Sequence, residues 1–119
     1  MELQKILVVD DNEINRKVAA LFLKKQGWLV DQAASGPEAL GMLANNQYVC
    51  VLLDISMPGM SGLDVCKAIR ADARLQGVRL VAYTAHALSD EKDAIMQAGF
   101  DAMLTKPLTA ESLFAAIAA

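Results

Sequence analysis

One pattern, met five times along the chain, constrains the fold more than any other feature: a short apolar run that stops at a polar side chain, then a stretch with helical spacing. Lys5-Ile-Leu-Val-Val-Asp10 is the first run, apolar throughout its interior, which is how a strand buried on both faces reads. Ile14, Val18, Leu21, Phe22 and Lys25 then keep helical spacing until Gln26-Gly27 supplies a stop. Residues 28–33 repeat the strand, and Ser35-Gly-Pro-Glu38 has the form of a capping box leading into Ala39, Leu40 and Leu43. Residues 49–53 form a third run ending at Asp54, followed by a Pro58-Gly59 loop and by Ser61-x-x-Asp64, which caps a helix reaching Ala71. Residues 78–83 give a fourth run ending at Thr84, after which Ser89 caps a helix carrying Leu88, Ile95 and Met96. Ala102 to Thr105 is the fifth run; Lys106-Pro107 follows, and Thr109 caps a last helix with Leu113, Ala116 and Ile117 on its inner face.

Parallel strands return through covering helices, so this alternation predicts an α/β fold with right-handed crossovers. The expected arrangement is a flavodoxin-like three-layer sandwich, a five-stranded parallel sheet in the order 2-1-3-4-5 with five helices. A chain of 119 residues that is 55% hydrophobic carries enough apolar surface for one core, and nothing in it reads as a linker, so residues 1–119 are expected to form one domain.

Charge narrows the function classes. A net charge of −3 argues against nonspecific binding to nucleic acid, which needs clustered Lys and Arg. The longest early apolar stretch, residues 6–9, is too short for a signal peptide or a membrane span, so direct membrane contact is not expected and the predicted location is cytoplasmic. Cys50 and Cys66 lack metal-ligand spacing and read as buried free thiols.

In open parallel sheets, ligands bind beyond the carboxyl ends of the strands. Those ends carry Asp10 and Asp11, Asp54, Thr84 and Lys106. Each has a bland reading on its own: an Asp pair after a strand is often a turn or N-cap, a Thr a helix cap, and Lys-Pro a strand stop. The set is what is specific. Three carboxylates brought together repel and demand a cation, and Mg²⁺ is commonly held by one or two carboxylates plus a phosphate. A carboxylate can itself be the phosphoryl acceptor if cations absorb the charge, with Lys106 supplying a positive point and Thr84 a hydroxyl. Ala85 leaves the approach open. His86, the only histidine, is weighed as a modulator of water attack against a loop residue with no role.

Val8-Val9-Asp10-Asp11-Asn12, the run from Leu53-Asp54 through Ser61-Gly62, Thr84-Ala85 and Lys106-Pro107 together resemble the receiver domain of two-component response regulators. The resemblance implies Asp54 as phosphoacceptor, and Asp11, Asp54 and the backbone carbonyl of Ser56 as Mg²⁺ ligands, with Asp10 acting mainly through water. It also implies Thr84 and Lys106 as phosphoryl-oxygen partners, Ser56, Ala85 and His86 as neighbours of the phosphoryl site, and a cis bond before Pro107. Met103 departs from the pattern, because receivers often carry Tyr or Phe there as a switch; a flexible Met makes a less sharply two-state reporter.

Asp11-Asn-Glu-Ile-Asn-Arg16 and Thr105-Lys-Pro-Leu108 further resemble receivers fused to hybrid sensor histidine kinases. That resemblance implies a segment of a longer, membrane-anchored sensor kinase, taking phosphate from a kinase histidine and handing it to a histidine-phosphotransfer domain, as a monomer or weak dimer. Such a module accelerates its own phosphorylation and dephosphorylation rather than turning over a separate substrate. A stand-alone single-domain response regulator is the alternative. A haloacid-dehalogenase-like phosphatase is disfavoured by Ser56, which stands where that family needs a second Asp. An unphosphorylated scaffold is the remaining rival, and no G-x-x-x-x-G-K phosphate loop occurs.

Overall fold

The computed structural model describes residues 4–85 and 89–118. Along the chain it contains β1 Lys5–Val9, α1 Glu13–Lys25, β2 Leu29–Ala33, α2 Gly36–Asn45, β3 Cys50–Asp54, α3 Gly62–Arg70, a 3-10 turn at Ala73–Leu75, β4 Arg79–Thr84, α4 Ser89–Ala98, β5 Ala102–Thr105 and α5 Ala110–Ala118. The strands form one parallel sheet, as the alternation predicts, in the flavodoxin-like order β2-β1-β3-β4-β5. In β1, β3 and β4 every residue but the first Lys5 or Arg79 is buried, whereas edge strand β2 is mostly half-exposed. Continuous apolar runs thus occupy the centre, where both faces are covered.

Alternation along each strand divides the core. Leu7, Val9, Val51, Leu53, Leu80 and Ala82 share one cluster with Ala39 and Leu43 of α2, Val65 and Ile69 of α3, and Ile95 of α4. Ile6, Val8, Cys50, Leu52, Val81 and Tyr83 share the other with Ala19 and Leu23 of α1 and Leu113 and Ala116 of α5. Each fully buried Leu or Ile contributes about 1.5–3 kcal/mol relative to exposure, so both layers are needed to hold the sheet. Cys50 and Cys66 are buried free thiols, and burial pushes both above the usual thiol range.

Local chemistry sets the boundaries. Asn12 caps α1 by accepting from Asn15 N–H, and Ser35 caps α2 through Glu38 N–H. Ser61 and Asp64 form a reciprocal capping box on α3, and Thr109 Oγ1 accepts from Ser112 N–H at 3.1 Å ahead of α5. Trp28 and Val78, expected inside strands, lie before them because their N–H groups still bond Leu23 O and Leu75 O in the preceding turns. Cys50, not Val49, opens β3. α4 opens at Ser89 itself, and Leu88, expected in it, lies outside the described residues.

The helical spacing in α1 holds, but much of it faces outward. Ile14, Val18 and Leu21, which keep helical spacing, are 73%, 39% and 53% exposed, while Ala19 and Leu23 face the sheet. The small side chain of Ala19 lets α1 lie close to the strands, and the larger residues form a stripe on its outer side. In α4, likewise, Ile95 is buried and Met96 is exposed.

Candidate functional site

Strand register brings the polar run ends to one level. Val9 opposes Leu53, so Asp10 follows alongside Asp54; Asp54 opposes Tyr83, and Thr84 opposes Thr105 just before Lys106. Backbone bonds fix the loops beyond: Ile55 N–H to Tyr83 O at 3.0 Å and Lys106 N–H to Thr84 O at 2.9 Å. Gly62 N–H returns to Ile55 O at 3.0 Å, and a Cβ on Gly62 would clash with Asp54 O. Glycine there is what lets the start of α3 fold against the end of β3. The Lys106–Pro107 bond is cis.

The predicted residues converge. Asp10, Asp11 and Asp54 place carboxylate oxygens within 4.8 Å of one another. Asp10 and Asp54 are each 1% exposed and Thr84 4%, the buried polar side chains among the described residues, while Asp11 stands at the exposed mouth. Lys106 Nζ lies 3.4 Å from Asp54 Oδ1 and 3.9 Å from Asp10 Oδ2. Asp54 Oδ1 accepts from Ser56 N–H at 3.2 Å, and Asp10 Oδ1 from Asn12 N–H at 2.9 Å. Asp10 Oδ2 is buried without a hydrogen-bond partner.

That orphan oxygen tests what the site is built for. An unpaired buried carboxylate oxygen is costly, and one nearby ammonium cannot compensate the charge of the cluster. Burial pushes the Asp10 carboxyl up to about 6, with the charge of Asp54 adding to the rise and the Asn12 N–H opposing it. An all-oxygen acidic pocket suits a hard divalent cation, and the donor set fits one.

Ser56 and Ala85 are exposed beside the pocket, Met103 is half-buried in β5 against the α2–α3 core, and His86 lies outside the described residues. Three contributors have no counterpart in the sequence reading. Arg16 Nη1 bonds Asp10 O at 2.9 Å and its Nε bonds Gln32 Oε1 at 3.3 Å, tying α1 to the ends of β1 and β2. Asn12 caps α1 and holds Asp10 at once. Tyr83 puts its ring beneath Lys106, 4.7 Å from Nζ to the ring centroid. Arg16 stood in a quoted motif without a role, and Tyr83 was legible only as one more apolar strand residue.

Comparison with known proteins agrees with this geometry. The family model for the response regulator receiver domain matches residues 6–118. The chain is 35% identical over 121 residues to hybrid signal transduction histidine kinase I of Dictyostelium discoideum, covering 96% of this chain but only 7% of that kinase. It is 31% identical over 106 residues to the polar-differentiation response regulator DivK of Brucella ovis, covering 89% of this chain and 86% of DivK. Among solved structures, chemotaxis protein CheY4 of Vibrio cholerae superposes with a TM-score of 0.93 at 26% identity over 98% of both chains. A response regulator from Chloroflexus aurantiacus gives 0.92 at 28% identity, over 99% of this chain and 100% of that one. Strand order, strand-end chemistry and family match coincide, and the chain belongs to the response regulator receiver domains of two-component signalling.

Proposed function

We propose that Asp54 accepts the phosphoryl group, with Mg²⁺ held by Asp11, Asp54 and the Ser56 carbonyl and with Asp10 acting mainly through water. The observation that carries this reading is the setting of Asp54: buried, fixed through Oδ1 by Ser56 N–H, and 3.4 Å from Lys106 Nζ inside an acidic cluster with an unpaired oxygen. A carboxylate oxygen of Asp54 attacks phosphorus as the P–N bond of a phosphoimidazole breaks; the imidazole departs with the bonding pair and takes up a proton. Lys106 and Thr84 meet the charge that spreads over the transferred oxygens. Mg²⁺, when bound, neutralises the carboxylates and draws charge from those same oxygens.

The donor we propose is a histidine kinase domain and the onward acceptor a histidine-phosphotransfer domain. The exposed stripe of Ile14, Val18 and Leu21 supports this, because it runs along α1 directly from the Asp11-Asn12 corner of the site. A helical partner seated there brings its histidine over Asp54. Relay rather than a strong local switch is favoured by Met103, whose flexible side chain stands where an aromatic ring would give two sharp positions. A stand-alone regulator is the second reading, favoured by the near full-length match to DivK. Under either, residues 1–119 act as one receiver unit. No described helix is long and apolar enough to cross a membrane.

Incubation with acetyl phosphate and Mg²⁺, followed by intact mass, tests the proposal. The expected product is a single adduct of roughly 80 Da, one phosphoryl group, that does not form when chelator is present during the incubation or in Asp54→Asn. No adduct, or one that survives Asp54→Asn, overturns it.

A further inference from the structure

The two carboxylates leave the position of Lys106 underdetermined. Its Nζ is 3.4 Å from Asp54 Oδ1 and 3.9 Å from Asp10 Oδ2, both beyond ordinary N–H···O contact, and the side chain is a flexible four-carbon stem. A third neighbour lies against the ammonium: the ring of Tyr83, 4.7 Å from Nζ to centroid. We propose that Tyr83 is a positioning residue, an aromatic platform that holds the Lys106 ammonium over the Asp10–Asp54 pair.

The platform is fixed from several directions. Tyr83 is 4% exposed and lies in β4, opposite Asp54 on one side and Leu104 on the other. Its carbonyl holds Ile55 N–H at 3.0 Å, and its side chain packs in the layer with Leu104, Leu113 and Ala116. The ring is therefore set by the sheet and not by the lysine. A cation held by a π face also keeps its N–H donors, because the attraction is to the ring quadrupole and consumes no hydrogen bond. An ammonium so placed can turn those donors to incoming phosphoryl oxygens without breaking a bond to its anchor.

The functional half of this inference rests on Asp54 being the phosphoacceptor; the structural half does not, and one experiment separates them. In metal-free protein labelled with ¹³C and ¹⁵N, the Lys106 ε-methylene protons, assigned with Lys106→Arg, are expected upfield of the solvent-exposed lysines through the ring current. Tyr83→Phe keeps that shift and Tyr83→Leu removes it. With acetyl phosphate and Mg²⁺, Tyr83→Leu is expected to slow initial phosphorylation roughly 3- to 30-fold, the span of cation–π strengths, while Tyr83→Phe stays within about twofold. Tyr83→Met, which fills space without a ring, supplies the rate comparison if Tyr83→Leu does not fold. Wild-type Lys106 resonances coincident with exposed lysines overturn the placement. A folded Leu or Met variant phosphorylated at the wild-type rate overturns the positioning role while leaving Asp54 as acceptor intact. Wild-type protein that takes no phosphoryl group overturns the Asp54 reading and, with it, the role of Tyr83 in transfer.

Discussion

Toward the amino ends of the strands, Lys5, Asp31 and Tyr48 form a closed set: Tyr48 donates to Asp31 at 2.6 Å, Lys5 Nζ lies 3.4 Å from the same carboxylate, and Lys5 stands 5.6 Å over the Tyr48 ring. At the carboxyl ends, Asp10, Asp54 and Lys106 use the same residue types, again with a Lys over a Tyr, yet the set is open. The side chains of Lys5 and Asp31 are about a third exposed, at 32% and 33%, while those of Asp10 and Asp54 are 1% and 2% exposed. One lysine serves the buried pair, and Asp10 Oδ2 has no hydrogen-bond partner. The first network joins edge strand β2 to β1 and to the segment before β3, with Lys5 also donating to Asn46 Oδ1 at 3.4 Å. The second holds charge out of water in excess of its cation, an arrangement that favours uptake of a divalent cation.

Breaking the open set has the larger consequences. Lys106→Ala is expected to slow phosphorylation by acetyl phosphate about 100-fold, the usual loss when one preorganised charge partner of a transfer site is removed, as read by the time course of intact mass. A fall of less than about threefold would remove Lys106 from the transfer step, leaving it a local counter-ion. Asp10→Asn should weaken Mg²⁺ binding about tenfold or more, measured by calorimetric titration, since a ligand-orienting carboxylate is lost.

The same substitution should raise the stability of metal-free protein at neutral pH by about 1–2 kcal/mol, because it removes a buried charge whose cost solvent at the pocket mouth screens only in part. The effect has a defined pH window. The folded Asp10 carboxyl sits at about 6 against an ordinary 3.8. Between those values the folded state keeps a proton that the unfolded chain has released, so stability falls as pH rises from about 4 to 6 and then levels. The melting temperature of wild type minus that of Asp10→Asn should therefore drop across this window. Subtraction cancels the opposite contributions of Glu13 and Asp72, whose ion pairs with Lys17 and Arg74 hold their carboxyls below the usual range. A flat difference would show that burial does not raise the Asp10 carboxyl.

The smallest effect is expected at the closed set. Asp31→Asn should cost about 0.5–1 kcal/mol in denaturant unfolding, as a half-exposed pair does, and leave the phosphorylation rate unchanged. A change in rate would mean that the two ends of the sheet are coupled.

The sheet and the site were legible in the sequence to different depths. The strands and their end residues followed from the apolar runs and their stops, because a strand buried on both faces has to be apolar from end to end and has to stop where polar groups resume; the strand order did not, and was taken from flavodoxin-like sheets. Spacing alone could not orient α1: Ile14, Val18 and Leu21 form as regular a stripe as an inner face would, and only packing reveals that Ala19 and Leu23 are the residues turned to the sheet. Arg16 and Tyr83 were illegible as site residues for a related reason. Arg16 acts on a backbone carbonyl, and Tyr83 acts through a ring face turned to a lysine on a neighbouring strand's end, contacts that no spacing in the chain encodes.

Whether the open set makes Asp54 a phosphoacceptor is tested most directly by locating the acyl phosphate. After incubation with acetyl phosphate and Mg²⁺, borohydride reduction converts an aspartyl phosphate to homoserine, which peptide fragmentation assigns to a position. Homoserine at residue 54 alone, dependent on Mg²⁺, is the predicted result; homoserine at Asp10 or Asp11, or at no position, contradicts it.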